Sequence, residues 1–174
     1  MQEEGSLFLI EEDKIKRRVL ELALEIEKDY KGKKPLFIGI LKGAFIFLAD
    51  LVRFIDMDLE IDFLAVSSYG KFTESTGEVE ILKDIQIPIK DRHVIIVEDI
   101  VDTGLTLKYI KDLLLSRGPK SLKICALLDK KERRKVDIDA DYVGFTVPDR
   151  FLVGYGLDMA EKYRNLPYIK ELRD

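Results

Sequence analysis

The segment VIIVEDIVDTGLT, from Val94 to Thr106, joins an apolar run to three acidic residues and a glycine-threonine turn. Gly104 allows the backbone to turn tightly and to approach a ligand closely. A helix that begins at Leu105 would present free N–H groups and the positive end of its dipole to an anion. The hydroxyl groups of Thr103 and Thr106 would add donors. The turn therefore predicts a phosphate-binding loop, although it is not a Walker A loop because the Gly-Lys-Ser/Thr element is absent.

Glu98, Asp99 and Asp102 carry carboxylates, which repel phosphate and so require a second kind of ligand group. Ionised carboxylates accept hydrogen bonds, and the neutral group that best uses adjacent acceptors is a vicinal diol. A ribose phosphate offers both features, with its phosphate in the turn and its 2′- and 3′-hydroxyls at the acids. The same carboxylates suit Mg²⁺, which binds through few carboxylates plus ligand oxygens. The simpler alternative is that the acids only cap a helix, but a strand, three acids and a Gly-Thr turn together argue against it.

Apolar strands and amphipathic helices alternate along the chain and would position this segment. Residues 11–30 carry Ile15, Val19, Leu22 and Ile26 at spacings of three and four, which indicates a helix with one apolar face. Further helices are predicted in residues 43–54 and 105–116, and strands in residues 36–41, 61–67, 79–82, 93–97, 122–128 and 141–147. This alternation predicts an α/β fold with a mostly parallel sheet and helices on both faces. Ligands of such sheets bind at the carboxyl ends of the strands, where the acids and the turn lie.

Composition sets limits on the class of protein. The 174 residues suit one domain, and a formal net charge of -4 disfavours broad binding to nucleic acid. The single cysteine, Cys125, excludes an internal disulfide and lies in an apolar run, where we expect a buried and unreactive thiol. No long apolar stretch predicts a signal peptide or a membrane-spanning helix, so we expect a cytoplasmic protein.

The segment Val94 to Thr106 resembles the phosphoribosyl-pyrophosphate signature of the type I purine phosphoribosyltransferases, most closely of their hypoxanthine-guanine members. Other stretches extend the resemblance from about Leu36 to the tail: ILKGAFIFLADL, SSYG, STG, LLDKKERR and PDRFLVGYGLDMAEKYRNLPYI. The resemblance implies the type I phosphoribosyltransferase fold as one domain over residues 1–174. A small hood subdomain is expected from residues 148–174, with help from the N-terminal segment.

The resemblance implies a purine-salvage enzyme. It would transfer the 5-phosphoribosyl group of phosphoribosyl pyrophosphate to N9 of hypoxanthine or guanine, with Mg²⁺, giving the nucleoside monophosphate and pyrophosphate. It also implies a homodimer or homotetramer. Three alternatives remain open: a xanthine-preferring transferase, a regulatory protein of the same fold that binds phosphoribosyl pyrophosphate and controls nucleic acid, and a non-catalytic nucleotide-binding or structural module.

Four residues would act on the purine base. We interpret Asp102 as the acid/base residue, working at the purine N7. The resemblance implies that Lys130 donates a hydrogen bond to the O6 of a 6-oxopurine, so that adenine is rejected. It further implies that Phe151 stacks on the purine and that the backbone of Leu152 contacts the base edge. From the residues alone, Lys130 would be a surface lysine and Phe151 a core side chain.

The resemblance also implies a pyrophosphate site. Lys42 and Gly43 would bind pyrophosphate oxygens, with a cis peptide bond between Leu41 and Lys42. Arg164 would neutralise pyrophosphate through its guanidinium fork, and Asp158 would join Glu98 and Asp99 as a ligand of Mg²⁺. From the residues alone, Asp158 would cap a helix and Arg164 would form a surface ion pair.

The polar stretch from Ser67 to Glu80 predicts a loop or hairpin. The resemblance implies that this stretch closes over the reacting centre through Ser68 and Tyr69 and excludes water. The single histidine, His93, precedes a strand at the end opposite the expected site, so we interpret it as a surface residue and not as a catalytic base.

Overall fold

The computed structural model describes residues 7–68 and 79–173. In chain order the elements are β1 (Leu9–Ile10), α1 (Glu12–Asp29), β2 (Leu36–Leu41), α2 (Phe45–Arg53), β3 (Glu60–Ser68), β4 (Val79–Lys83), β5 (His93–Val101), α3 (Leu105–Leu115), β6 (Ser121–Asp129), a 3₁₀ turn (Lys131–Arg133), β7 (Tyr142–Thr146), β8 (Leu152–Val153) and β9 (Ile169–Glu171). Every predicted helix and strand is present. Ser68 ends β3, and Tyr69 and the residues up to 78, where the sequence predicts a loop or hairpin, lie outside the described residues.

Six strands form the central sheet in the order β4-β3-β2-β5-β6-β7. All neighbouring pairs are parallel except β3 and β4, so the predicted mostly parallel α/β sheet is confirmed. Strands β2, β5 and β6 lie side by side, and their carboxyl ends meet at one edge of the sheet. The loops after these three strands contain Lys42, Asp102 and Lys130. The topology therefore brings these three predicted site residues to the same edge of the sheet.

Helices cover both faces of the central sheet. The fully buried α1 residues Ile15 and Val19 share one apolar cluster with Phe37 of β2. The α3 residue Ile110 shares a second cluster with Ile38 of β2. Successive residues of a strand point to opposite faces, so β2 is apolar throughout because it contributes to both clusters.

The edge strand β7 is covered by a side chain of α1. Arg18 donates from Nε to the carbonyl of Gly144 at 2.8 Å and from Nη2 to the carbonyl of Val143 at 2.7 Å. Its third nitrogen, Nη1, donates to Glu21 at 2.8 Å. Arg18 thus occupies two carbonyl acceptors at this edge of the sheet.

A second, three-stranded antiparallel sheet has the order β1-β9-β8. It combines the N-terminal segment with the tail, and it corresponds to the small hood subdomain expected from the sequence. Its residues Ile10 and Ile169 belong to the same apolar cluster as α1 and α2. The hood therefore packs on the core of the central sheet.

Three local features refine the sequence-based expectations. Strand β5 extends past the predicted apolar run to Val101, because its pairing with β6 continues through Val101 and Asp129. The acids Glu98 and Asp99 consequently lie on the strand itself. Cys125 is fully buried, and burial raises the pKa of its thiol, as expected for an unreactive cysteine. His93 begins β5 at the far end and is partly buried, with Nδ1 2.6 Å from Ser121 Oγ.

None of the described helices has the length and apolar character that spanning a bilayer requires.

Candidate active site

Three backbone segments meet at the carboxyl edge of the central sheet. A Cβ atom at Gly43 would clash with the carboxylate of Asp99, and one at Gly156 would clash with the carbonyl oxygen of Gly43. The loop after β2, the end of β5 and the tail are therefore in direct contact. Glycine is required at positions 43 and 156 because any side chain would separate these segments.

The turn between β5 and α3 is held in shape from outside. Gly104 has a φ of 85°, a left-handed conformation that favours glycine. Arg134 donates from Nη1 to the carbonyl of Asp102 at 2.9 Å. The backbone N–H of Lys135 donates to the carbonyl of Thr103, also at 2.9 Å. Because both carbonyls are engaged, the turn presents its N–H side to a ligand.

The first turn of α3 is open to an anion. No side chain caps this helix, and its first turn contains no acidic residue. The nearest approach to a cap is a long contact of 3.4 Å from the N–H of Leu105 to Thr103 Oγ1. Thr106 is partly buried in the same turn. Free N–H groups and the helix dipole therefore point toward the position where the sequence predicts a phosphate.

Glu98 and Asp99 form an acidic pair, in which Glu98 is buried and Asp99 partly buried. Burial raises the pKa of Glu98 well above its ordinary value, and the charge of Asp99 raises it further. Burial also raises the pKa of Asp99, and a hydrogen bond with Glu98, backbone hydrogen bonds and, least, the charge of Arg164 oppose this effect. Within residues 7–68 and 79–173, neither carboxylate forms an ion pair within 4.0 Å. Such a pair is suited to a cation or to hydroxyl donors, which would relieve the repulsion between the carboxylates.

No cluster of three or more metal-ligating side chains is assembled among the described residues. Asp158 instead lies 3.4 Å from Arg164 and accepts a hydrogen bond from the N–H of Glu161 at 2.9 Å. The chemistry of the Glu98–Asp99 pair nevertheless fits Mg²⁺, which takes one or two protein carboxylates and completes its shell with ligand oxygens and water.

Asp102 has one enclosed and one accessible side. Its Oδ1 is buried without a hydrogen bond, although the side chain as a whole is 43% exposed. Arg133 Nε lies 3.2 Å from Oδ1, an ion-pair distance whose direction does not give a hydrogen bond. Arg133 Nη1 also lies 3.7 Å from Asp149. Arg133 therefore links the turn after β5 to the segment that precedes Phe151.

Arg134 connects the end of β6 to the turn between β5 and α3. Its Nη2 lies 2.6 Å from Oδ1 of Asp129, a fully buried carboxylate, and its Nε donates to the carbonyl of Ile138. With its bond to Asp102, Arg134 engages three different segments. Sequence reasoning missed Arg133 and Arg134, although the motif LLDKKERR contains them. The accumulation of cations after a buried strand was the available signal.

The residues predicted to contact the base lie around the same edge. Lys130 is 8% exposed, and its N–H donates to the carbonyl of Val101 at 2.9 Å, which fixes it beside β5. Phe151 is 53% exposed, so its ring is available for stacking. Leu152 is buried in β8, and its side chain belongs to the core.

Lys42 and Arg164 lie on opposite sides of one carboxylate, that of Glu161. The peptide bond between Leu41 and Lys42 is cis, as the resemblance implied. Lys42 Nζ lies 3.0 Å from Glu161 Oε2, and Arg164 Nη2 lies 3.2 Å from Glu161 Oε1. Arg164 Nη1 donates to the carbonyl of Gly156 at 2.7 Å. The two cations predicted to bind pyrophosphate are thus brought together, with a residue that sequence reasoning missed.

Residues 10–160 match the family model described as the phosphoribosyl transferase domain. The chain belongs to the phosphoribosyltransferase family. It is 56% identical to the hypoxanthine-guanine phosphoribosyltransferase of Aquifex aeolicus, over 95% of this chain and 94% of that protein. It is 54% identical to that of Bacillus subtilis, over 95% and 92%. A crystal structure of a hypoxanthine-guanine phosphoribosyltransferase from Bacillus anthracis has a TM-score of 0.92 and 53% identity, and the match covers 97% of this chain and 99% of that one.

This phosphoribosyltransferase has the type I fold that the sequence predicted, and it is an enzyme of purine salvage. The individual roles predicted for its residues stay predictions. What the geometry adds is an arrangement: an open helix start, an acidic pair and two cations surround one edge of the sheet of this phosphoribosyltransferase.

Proposed function

We propose that this phosphoribosyltransferase transfers the 5-phosphoribosyl group of phosphoribosyl pyrophosphate to N9 of hypoxanthine or guanine. The names of its relatives support this choice of acceptor. The proposal depends on one observation: the open start of α3 follows, within a few residues, the strand end that carries the carboxylates of Glu98 and Asp99. An anion site next to two acceptors fits the 5-phosphate and the diol of one sugar.

The donor sugar would be held at both ends. The N–H groups of Gly104, Leu105 and Thr106, with the hydroxyls of Thr103 and Thr106, would bind the 5-phosphate. Glu98 and Asp99 would accept hydrogen bonds from the ribose 2′- and 3′-hydroxyls. Fixing both ends directs C1′ toward the base and removes much of the entropic barrier to the reaction.

The leaving pyrophosphate would be stabilised by cations. Lys42 and Arg164 would neutralise the charge that develops as the C1′–O bond breaks, and Gly43 would allow the backbone to approach its oxygens. Mg²⁺ held by Glu98 and Asp99, with Asp158 directly or through water, would supply further charge neutralisation. Pyrophosphate carries several negative charges, so a site with these cations would bind it more strongly than a ligand with a single charge.

The acceptor base would lie between the turn and the tail. Lys130 would donate to O6, Phe151 would stack on the ring, and the backbone of Leu152 would contact the base edge. Asp102 would accept the proton from N7 of the base as the bond from N9 to C1′ forms and the C1′–O bond to pyrophosphate breaks. Ser68 and Tyr69 would belong to the loop that covers the reacting atoms and excludes water.

We also propose that residues 1–174 form one domain and act as a homodimer or homotetramer in the cytoplasm. A single family model that matches residues 10–160 supports the first point. Light scattering coupled to size-exclusion chromatography tests the second, and a monomeric mass would contradict it.

A competition assay tests the proposed function. The protein is offered hypoxanthine, guanine, xanthine and adenine together with phosphoribosyl pyrophosphate and Mg²⁺, and the mononucleotide products are separated. We expect the products of hypoxanthine and guanine and none from adenine. Predominant product from xanthine would support the xanthine-preferring alternative. Donor binding without any product would overturn the proposal in favour of a regulatory or non-catalytic protein.

A further inference from the structure

One carboxylate occupies the space between two cations at the pyrophosphate end of the site. Glu161 reaches Lys42 Nζ with one oxygen, at 3.0 Å, and Arg164 Nη2 with the other, at 3.2 Å. Lys42 follows β2 and Arg164 lies in the tail, so Glu161 bridges two parts of the chain that are distant in sequence. Its two oxygens contact the two cations that the proposed function assigns to pyrophosphate.

The backbone directs Glu161 to this position. Ala160 and Glu161 have φ angles of 50° and 69°, so two successive residues other than glycine adopt the left-handed conformation. This conformation is uncommon for such residues and sets the direction of the Cα–Cβ bond of Glu161. The N–H of Glu161 donates to Asp158 Oδ2 at 2.9 Å, which anchors the turn. The turn therefore places the Cα atom of Glu161 within reach of both cations, and the side chain itself stays exposed.

The contact is easily displaced. The side chains of Lys42 and Glu161 are 66% and 64% exposed, and exposed ion pairs are weak because water competes with them. Lys42, and after it Arg164, lower the pKa of Glu161, so its carboxylate stays ionised at neutral pH. A ligand with several negative charges would displace this single exposed carboxylate from the two cations.

We propose that Glu161 is an internal counter-ion that competes with pyrophosphate for Lys42 and Arg164, and so weakens the binding of pyrophosphate and speeds its release. This inference rests on the proposed function, in which Lys42 and Arg164 bind the leaving group. It gives Glu161 a role in setting affinity without contact with the reacting atoms.

Glu161→Gln removes the charge and leaves the backbone hydrogen bond to Asp158 in place. Calorimetry at low ionic strength would measure the affinity for inorganic pyrophosphate with Mg²⁺. We expect the variant to bind pyrophosphate about three- to fivefold more tightly, the scale set by exposed ion pairs. The KM for phosphoribosyl pyrophosphate should fall by a similar factor, and kcat should fall if pyrophosphate release limits turnover.

Glu21→Gln is the matched control. Glu21 is 61% exposed, and it pairs with Arg18 at 2.8 Å on α1, away from the site. The control changes the net charge equally, and Arg18 keeps its bonds to the carbonyls of β7. We expect the control to bind pyrophosphate as the parent does. Affinity for a purine mononucleotide, which lacks pyrophosphate, should be the same in all three proteins.

Three results would overturn the inference. The first is that Glu161→Gln and Glu21→Gln bind pyrophosphate with equal affinity. The second is that Glu161→Gln gains as much affinity for the mononucleotide as for pyrophosphate. The third is that Glu161→Gln gains the same affinity for pyrophosphate when Lys42→Met is also present. A parent protein that makes mononucleotide while giving any of these results refutes only the role of Glu161. A parent that makes no mononucleotide from any purine refutes the proposed function as well.

Discussion

At the scale of single residues, the carboxylate of Asp102 has one oxygen enclosed by the protein and a side chain that is partly accessible to a ligand. Its Oδ1 is enclosed near Arg133, whereas nearly half of the side chain is exposed toward the site. Its main-chain carbonyl is held by Arg134. A substitution that keeps the shape of Asp102 should therefore leave the turn intact and remove only the charge.

We expect Asp102→Asn to lower kcat by about 100-fold or more, the usual contribution of a general acid or base. The dissociation constant for phosphoribosyl pyrophosphate should change little, because the 5-phosphate and the diol are bound by other groups. Steady-state kinetics and calorimetry measure the two quantities. Turnover equal to that of the parent would reject Asp102 as the acid/base residue.

At the scale of elements, buried charged side chains join strands to the loops that follow them. Arg134 is 14% exposed, and its partner Asp129 is 1% exposed. Asp62 is likewise buried on β3, and it accepts hydrogen bonds from the N–H groups of Phe63, Gln86 and Ile87 at 2.7 to 2.8 Å. In both cases, a buried carboxylate on a strand forms hydrogen bonds that hold a polar loop against the sheet.

We expect Arg134→Met to lower the free energy of unfolding by about 3 kcal/mol, because Asp129 would be left as a buried charge without its partner. Binding of phosphoribosyl pyrophosphate should also weaken, since the carbonyl of Asp102 loses its donor. Urea unfolding and calorimetry test both effects. The control is Arg117→Met, which breaks the more exposed pair with Asp84 and should cost about 1 kcal/mol or less. An equal loss of unfolding free energy in the two variants would contradict a stabilising role for the buried pair of Arg134 and Asp129.

Asp62 makes a contribution to stability that depends on pH. Burial raises the pKa of Asp62, but hydrogen bonds from Ile87, Phe63 and Gln86 and the charge of Lys83 lower it on balance. The contribution is therefore complete above the unfolded pKa of about 3.9 and is lost as the pH falls through the lower folded value.

Asp62→Asn should lower the free energy of unfolding at pH 7 by about 1–2 kcal/mol, because an amide cannot accept from all three N–H groups. The deficit relative to the parent should shrink at a pH well below about 3.9. Urea unfolding at both pH values measures it. A deficit that does not vary with pH would contradict the assignment.

At the scale of the whole molecule, the central sheet and the hood share one apolar core. The hood residues Leu152, Tyr155 and Ile169 share an apolar cluster with α1 and α2. Tyr155 also donates a hydrogen bond to Asp50 of α2. The site lies where the two sheets meet, since Gly156 packs on Gly43.

Phosphoribosyl pyrophosphate with Mg²⁺ should therefore stabilise the entire chain. At a ligand concentration of 100 times the dissociation constant, we expect a gain of about 2.7 kcal/mol. Differential scanning calorimetry should show one transition that moves to higher temperature, with Mg²⁺ alone as the control. A separate transition for the hood that the ligand does not move would contradict this unity.

The sequence predicted the parts of the molecule that local patterns determine. The helix of α1 follows from apolar spacing, β2 from its continuous apolar run, and the turn before α3 from Gly104 and its neighbours. The extension of β5 was not predicted, because acidic residues mask a strand whose pairing with β6 continues. The contacts of Arg134 and Glu161 depend on residues far away in sequence, and no local pattern encodes those distances.

The arginine that covers β7 has a consequence for assembly. An uncovered outer strand offers its carbonyl and N–H groups to the outer strand of another molecule. In this enzyme the guanidinium of Arg18 already takes the acceptors of Val143 and Gly144. Copies of the chain cannot fuse their sheets along β7 without first dislodging Arg18. We therefore expect Arg18 to disfavour the pairing of a second copy along β7.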